Sequence, residues 1–145
     1  FADDAQWQAV APVLRRSRIK VLVDHFGVRS PAAGLSQPGF EAVLALGREG
    51  KAAVKFSAPF RLSSQPENFA DLDPFAEALI TAFGIEGCIW GSDWPFINFP
   101  RGFSYEAALR APARWLDDPA ERSLVMWANA ARLFGFPEQP SRTAS

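Results

Sequence analysis

Asp93 is the acid best placed for chemistry. It lies in the stretch CIWGSDWPFINFP, residues 88 to 100, where an apolar run breaks at Gly91-Ser92 and delivers a carboxylate at once, with Trp94 and Pro95 behind it. A carboxylate there can take a proton from a water attacking a carbonyl, or it can cap its own loop through backbone N–H groups. His25, the one histidine of the chain, follows Asp24 at the end of IKVLVDHFG, residues 19 to 27. A neutral imidazole serves as a proton shuttle or metal ligand, and as readily as a structural side chain. One histidine does not make a catalytic zinc site, which takes about three protein ligands. Asp24 is expected on the opposite face of the strand, as a loop cap. Arg61 follows AVKFSAPF and is either a solvated loop charge or a planar fork matched to a substrate carboxylate.

Other polar groups say less. Lys55 has parity opposite to Val54 and Phe56, so it faces a barrel interior or snorkels among helices. Ser57 and Ser92 are candidate hydrogen-bond donors. No G-x-S-x-G elbow, phosphate-binding loop or G-x-G-x-x-G occurs. Trp90, Trp94, Phe96, Phe99 and Phe103 surround Asp93 in sequence and suit an apolar pocket for a flat substrate, or packing, which is favoured for Trp90. Trp115, Trp127, Phe134 and Phe136 read as core.

These residues need elements to hold them. Residues 4 to 17 place Trp7, Val10, Ala11 and Leu14 on one helical face, with Asp3 or Asp4 as N-cap and Pro12 as a candidate kink. Residues 19 to 27 form a first strand, 40 to 50 a helix ending at Gly50, 51 to 57 a second strand and 71 to 84 a helix stopping on Gly84. CIWGSD is the third strand, and two helices close the chain over SYEAALRAPARWL and PAERSLVMWANAARLFGF. Strands alternating with helices predict an α/β fold with a parallel sheet. His25 to Arg61 is 36 residues and Arg61 to Asp93 is 32, each one β–α unit. All three side chains then reach the same end of the sheet, the active-site end in a (β/α)₈ barrel.

Such a barrel typically takes about 250 residues, whereas this chain has 145 and shows three strands. The expectation is the C-terminal portion of one barrel domain over residues 1–136, with a polar, disordered tail over 137–145. Fifteen basic against sixteen acidic residues, with no basic stripe, argue against nucleic acid as a partner. No apolar run approaches the roughly 20 residues of a membrane helix. The single cysteine, Cys88, suits a small buried strand residue and a reducing, cytoplasmic setting.

VLVDHFG, VKFSAPFR, WGSDWPF and WANAARLFGF together resemble, in order and spacing, the C-terminal part of the amidohydrolase superfamily. The nearest branch is the amidohydrolase-2 group that includes the 2-pyrone-4,6-dicarboxylate lactonases. The resemblance implies a TIM-barrel hydrolase in which Asp93 acts on the hydrolytic water, His25 lies in the active site and Arg61 binds a substrate carboxylate. Ser57, Trp94 and Phe96 join Arg61 as expected substrate-binding residues. The substrate implied is a small carboxylate-bearing lactone or ester. The cofactor is none, as in the lactonases, or one divalent metal (zinc or manganese) on His25 and Asp93, as in related decarboxylases. The family's first-strand H-x-H pair has no counterpart here, so the partner implied is the N-terminal barrel segment or a second copy, and the chain alone is expected to be inactive. Where the lactonases follow Trp-Pro with a histidine, Phe96 stands, which keeps a metal-dependent decarboxylase or amide hydrolase as an alternative. A non-catalytic α/β fragment is the other.

Overall fold

The apolar runs pair as one parallel sheet in a computed structural model that describes residues 3–27, 30–98 and 103–137. Strands β1 (Val21–Val23), β2 (Ala52–Ser57) and β3 (Cys88–Gly91) lie in the order β1-β2-β3. Val23 pairs with Val54, and Val54 in turn with Cys88. The helices are α1 (Asp4–Arg16), α2 (Pro38–Arg48), the single turn α3 (Pro59–Leu62), α4 (Asp73–Phe83) and α5 (Tyr105–Arg110). The chain closes with α6 (Pro119–Ser123), a π-helical turn (Leu124–Ala128) and α7 (Asn129–Phe134). The α/β class and the parallel sheet are as expected.

Strand periodicity divides the sheet into two faces. Val23, Val54, Phe56 and Cys88 join Phe40, Val43, Leu46, Phe75 and Leu79 of α2 and α4 in the main core. Leu22, Asp24, Ala53, Lys55, Ser57, Ile89 and Gly91 have the other parity, and none of them joins that core. Asp3 caps α1 by accepting from Gln6 N at 2.8 Å. Asp4 Oδ1 accepts from Gly39 N at 2.9 Å, and a Cβ on Gly39 would stand 2.3 Å from that oxygen. Only glycine lets α1 and α2 meet there. Arg15, in the last turn of α1, pairs with Glu49 at 3.1 Å. The buried Asn129 donates to Ile85 O and Cys88 O, both at 2.8 Å, and so ties the last helical segment to the foot of β3. Cys88 is buried, which pushes its thiol up to about 12 and makes it inert near neutrality.

Several expectations change. The first strand is shorter than 19 to 27, because the chain turns at His25–Gly27 with Phe26 at φ 57° and its ring fully buried. Burying that ring in the core outweighs extending the strand. Residues 59–62, read as loop, form α3. Trp115 packs against the core, but Trp127, Phe134 and Phe136 are 50, 54 and 59 % exposed and are not core. The π turn adds a residue to the helical period, so Val125, Asn129 and Ala131 face inward instead. Phe99 and residues 138–145 of the polar tail lie outside the described residues. Among the described residues no helix is long and apolar enough to cross a membrane.

Candidate functional site

The three strand exits carry the polar residues to one rim. Each exit holds a non-glycine residue in the left-handed region: His25 at φ 51°, Ala58 at φ 54° and Asp93 at φ 61°. Such backbone costs on the order of 1–3 kcal/mol per residue and clusters at sites that need a side chain aimed. At Ala58 the turn starts α3, which swings Arg61 back toward β3.

Asp93 sits between the other two. Arg61 Nε donates to Asp93 Oδ2 at 2.5 Å, and His25 Nε2 stands 3.6 Å from Asp93 Oδ1. The Asp93 carboxylate therefore faces an imidazole and a guanidinium instead of capping its own loop. Arg61 Nη2 donates to Ile97 O at 2.9 Å, and its guanidinium carbon lies 5.2 Å from the Phe60 ring centre. The far side of the imidazole is held too: His25 Nδ1 and Ser57 Oγ are 2.8 Å apart, and Ser57 is buried. Ser57 thus touches the histidine from below. A hollow of about 740 Å³ runs along the unpaired edge of β1, from Trp7 and Leu14 up to Asp24, His25 and Arg61. Asp93 does not line it but touches both His25 and Arg61, which do.

The aromatics divide. Phe96 packs edge-on against Phe60 and Phe103, centroids 5.4 and 5.5 Å away, in a small cluster with Phe69 beneath Arg61. Trp94 is 68 % exposed and joined to Pro95 by a cis peptide bond. Trp90 points to the helix side, donating its indole N–H to Ala108 O at 3.3 Å. Asp24 pairs with Lys55 Nζ rather than capping a loop, and both lie on the sheet face away from the core.

Two acids that the sequence reading did not single out support the rim from behind. Burial alone would raise the Asp71 carboxyl, but bonds from Ser63 Oγ, Ser64 N and Ser64 Oγ hold it below the usual range and pin the loop after Arg61. Asp73 is held low chiefly by hydrogen bonds from Arg114, against a smaller effect of burial, with a further bond from Trp115 Nε1 at 2.9 Å. Trp115 in turn meets Phe26 edge-on at 5.1 Å, directly behind His25. A depressed carboxyl stabilises the fold above its unfolded value and loses that contribution as pH falls through the folded one. Asp73→Asn is expected to lower the melting temperature at pH 7 by a few degrees. That gap should close as the pH drops through the carboxylate range, as followed by circular dichroism melts.

A divalent metal would find two donors here, His25 Nε2 and Asp93. The described residues hold no cluster of three metal-ligating side chains, and Arg61 already occupies Asp93 Oδ2. The donor set in this stretch falls short of a catalytic metal site.

Comparison with known proteins follows the same residues. The family model Amidohydro_2, described as "Amidohydrolase", matches residues 3–136. A 4-sulfomuconolactone hydrolase from Rhizobium radiobacter is 30% identical over 138 residues, covering 93% of this chain and 46% of that protein. A solved structure from Acinetobacter baumannii, described as a probable 2-pyrone-4,6-dicarboxylic acid hydrolase with citric acid bound, superposes with a TM-score of 0.78 at 29% identity. It covers 93% of this chain and 51% of its own. An amidohydrolase from Burkholderia multivorans with zinc bound shares the fold, with a TM-score of 0.74 at 23% identity over 93% of this chain and 51% of its own. The chain spans about half the length of these relatives.

Proposed function

The chain belongs to the amidohydrolase family, and from that premise we propose that its rim hydrolyses a lactone or similar ester of a small anionic substrate. One observation carries the reading: Asp93 is held between His25 Nε2 and Arg61 Nε where three parallel strands end together. The relatives named above act, by their names, on a sulfonated lactone and on a pyrone dicarboxylic acid. The substrate class proposed is therefore a ring ester bearing a carboxylate or sulfonate.

The chemistry follows from the contacts. Arg61 neutralises and orients one oxygen of Asp93. The other oxygen is beyond bonding distance of His25 and keeps lone-pair capacity for a water. As that water's oxygen bonds to the substrate carbonyl carbon, Asp93 takes its proton. His25, fixed from below by Ser57, offers Nε2 to the carbonyl oxygen as charge develops there. The ring C–O bond then breaks and the proton returns to the departing alkoxide, leaving a hydroxy acid. Arg61 reads a substrate carboxylate with its remaining donor geometry, and Trp94 and Phe96 border the substrate's ring.

The strands belong, in this reading, to a (β/α)₈ barrel. The edges of β1 and β3, unpaired among the described residues, and the half-length match to relatives support it. The remaining wall comes from other barrel strands, in a longer chain or a second copy, and the 145-residue stretch alone is expected to be inactive. The test uses the whole protein with five- and six-membered lactones, with and without an anionic group, and follows acid release at constant pH. Preference for anionic lactones supports the proposal; hydrolysis of none of them overturns it. Full activity is expected to survive dialysis against a chelator. Loss of activity that added zinc or manganese restores would replace this mechanism with a metal-dependent one.

A further inference from the structure

Resting on the reading of the rim as a substrate site, we propose that Lys55 is a second anion-binding residue of that site. It would take a carboxylate or sulfonate of the substrate from beneath the rim and exchange Asp24 for it. The register places Lys55 two residues below Ser57, which touches His25, and beside Ile89, two residues below Gly91. This face carries no member of the main core, so the ammonium is directed away from the helices.

Gly91 gives the lysine its path. A Cβ at that position would stand 2.8 Å from Lys55 Cδ and 3.3 Å from Cγ, so any other residue would push the lysine stem aside. The same strand ends two residues later at Asp93, which ties the lysine's course to the reacting group.

The other cation of the rim divides its donors. Arg61 spends Nε on Asp93 and Nη2 on Ile97 O, which makes it the holder of the acid. Lys55 has three N–H donors, and among the described residues Asp24 is its one ion-pair partner. The pair is uneven: the Asp24 side chain is 58% exposed and that of Lys55 28%. Asp24 can return to water while the ammonium stays under the rim. Partly exposed ion pairs contribute little net stability, so replacing Asp24 with a substrate anion costs little.

Isophthalate, a flat ring with two carboxylates and no bond for a lactonase to open, is the probe. Its binding to the whole protein is measured by titration calorimetry at low ionic strength. Lys55→Met is expected to weaken binding about tenfold or more, as loss of one charge-assisted contact does, and Lys55→Arg to recover part of it. Asp24→Asn should tighten binding, because the competing carboxylate is gone. That opposite sign carries the test alone if Lys55→Met fails to fold. Equal affinity in Lys55→Met and wild type, weaker binding in Asp24→Asn, or no binding by the wild type at millimolar isophthalate overturns the inference. Its failure is separable from that of the hydrolase reading: Lys55-dependent binding without turnover of any lactone sinks only the latter. Turnover of anionic lactones with an unchanged KM in Lys55→Met sinks only the former.

Discussion

Asp93→Asn in the whole protein is expected to lower kcat by about 10²–10⁴-fold, the range a positioned general base supplies. In barrier height this is about 3–5 kcal/mol. Asparagine keeps the shape of the side chain and an oxygen that accepts from Arg61 Nε, so substrate should bind with a similar KM. The amide oxygen does not take a proton from water, and that is the difference the experiment isolates. Circular dichroism should be unchanged, since Asp93 lies at the rim and outside both core clusters. A variant with undiminished kcat would remove Asp93 from the reaction. A variant with raised KM and intact kcat would recast it as a binding residue.

Phe26→Ala is expected to cost about 3–5 kcal/mol of stability, the usual range for emptying a phenylalanine site in a core. Phe26 is fully buried, with its ring centre 4.7 Å from that of Phe56 and 5.1 Å from that of Trp115. Against a typical total of about 5–15 kcal/mol, that loss brings the protein close to unfolding. Alanine also inherits a left-handed backbone at φ 57° with no ring to hold it there. The turn should then relax and His25, its neighbour, should lose its aim at Asp93. Urea unfolding measures the first effect. The His25 ring resonances, assigned by their absence from a His25→Asn variant, measure the second. A loss below about 1 kcal/mol would mean that the site collapses around the smaller residue.

Much of this arrangement can be read from the residues in order. Strand–helix alternation and the even spacing of His25, Arg61 and Asp93 are local signals, and parallel strands bring their ends together. The directions of the side chains are not local. Arg61 looks like a fork for a substrate, yet its Nε meets Asp93 because the left-handed turn at Ala58 sets the course of α3. Ser57 looks like one more donor to substrate. Its parity with Lys55 was the available sign that it belongs to the inner face, and only the turn at His25 brings the imidazole over it. The pairing of Asp73 with Arg114 and Trp115 spans some 40 residues and leaves no trace in either segment. Trp127, Phe134 and Phe136 mislead for a different reason: an apolar residue in a helix carries no mark of phase when a π turn shifts the period.

Alternation along β2 assigns two kinds of work to neighbouring positions. Val54 and Phe56 join the main core, while Lys55 and Ser57 lie on the opposite face, Ser57 against His25. Affinity for a new ligand could thus drift through the odd positions of a single strand while the even ones stay constrained, so that a change of diet need not put the architecture at risk.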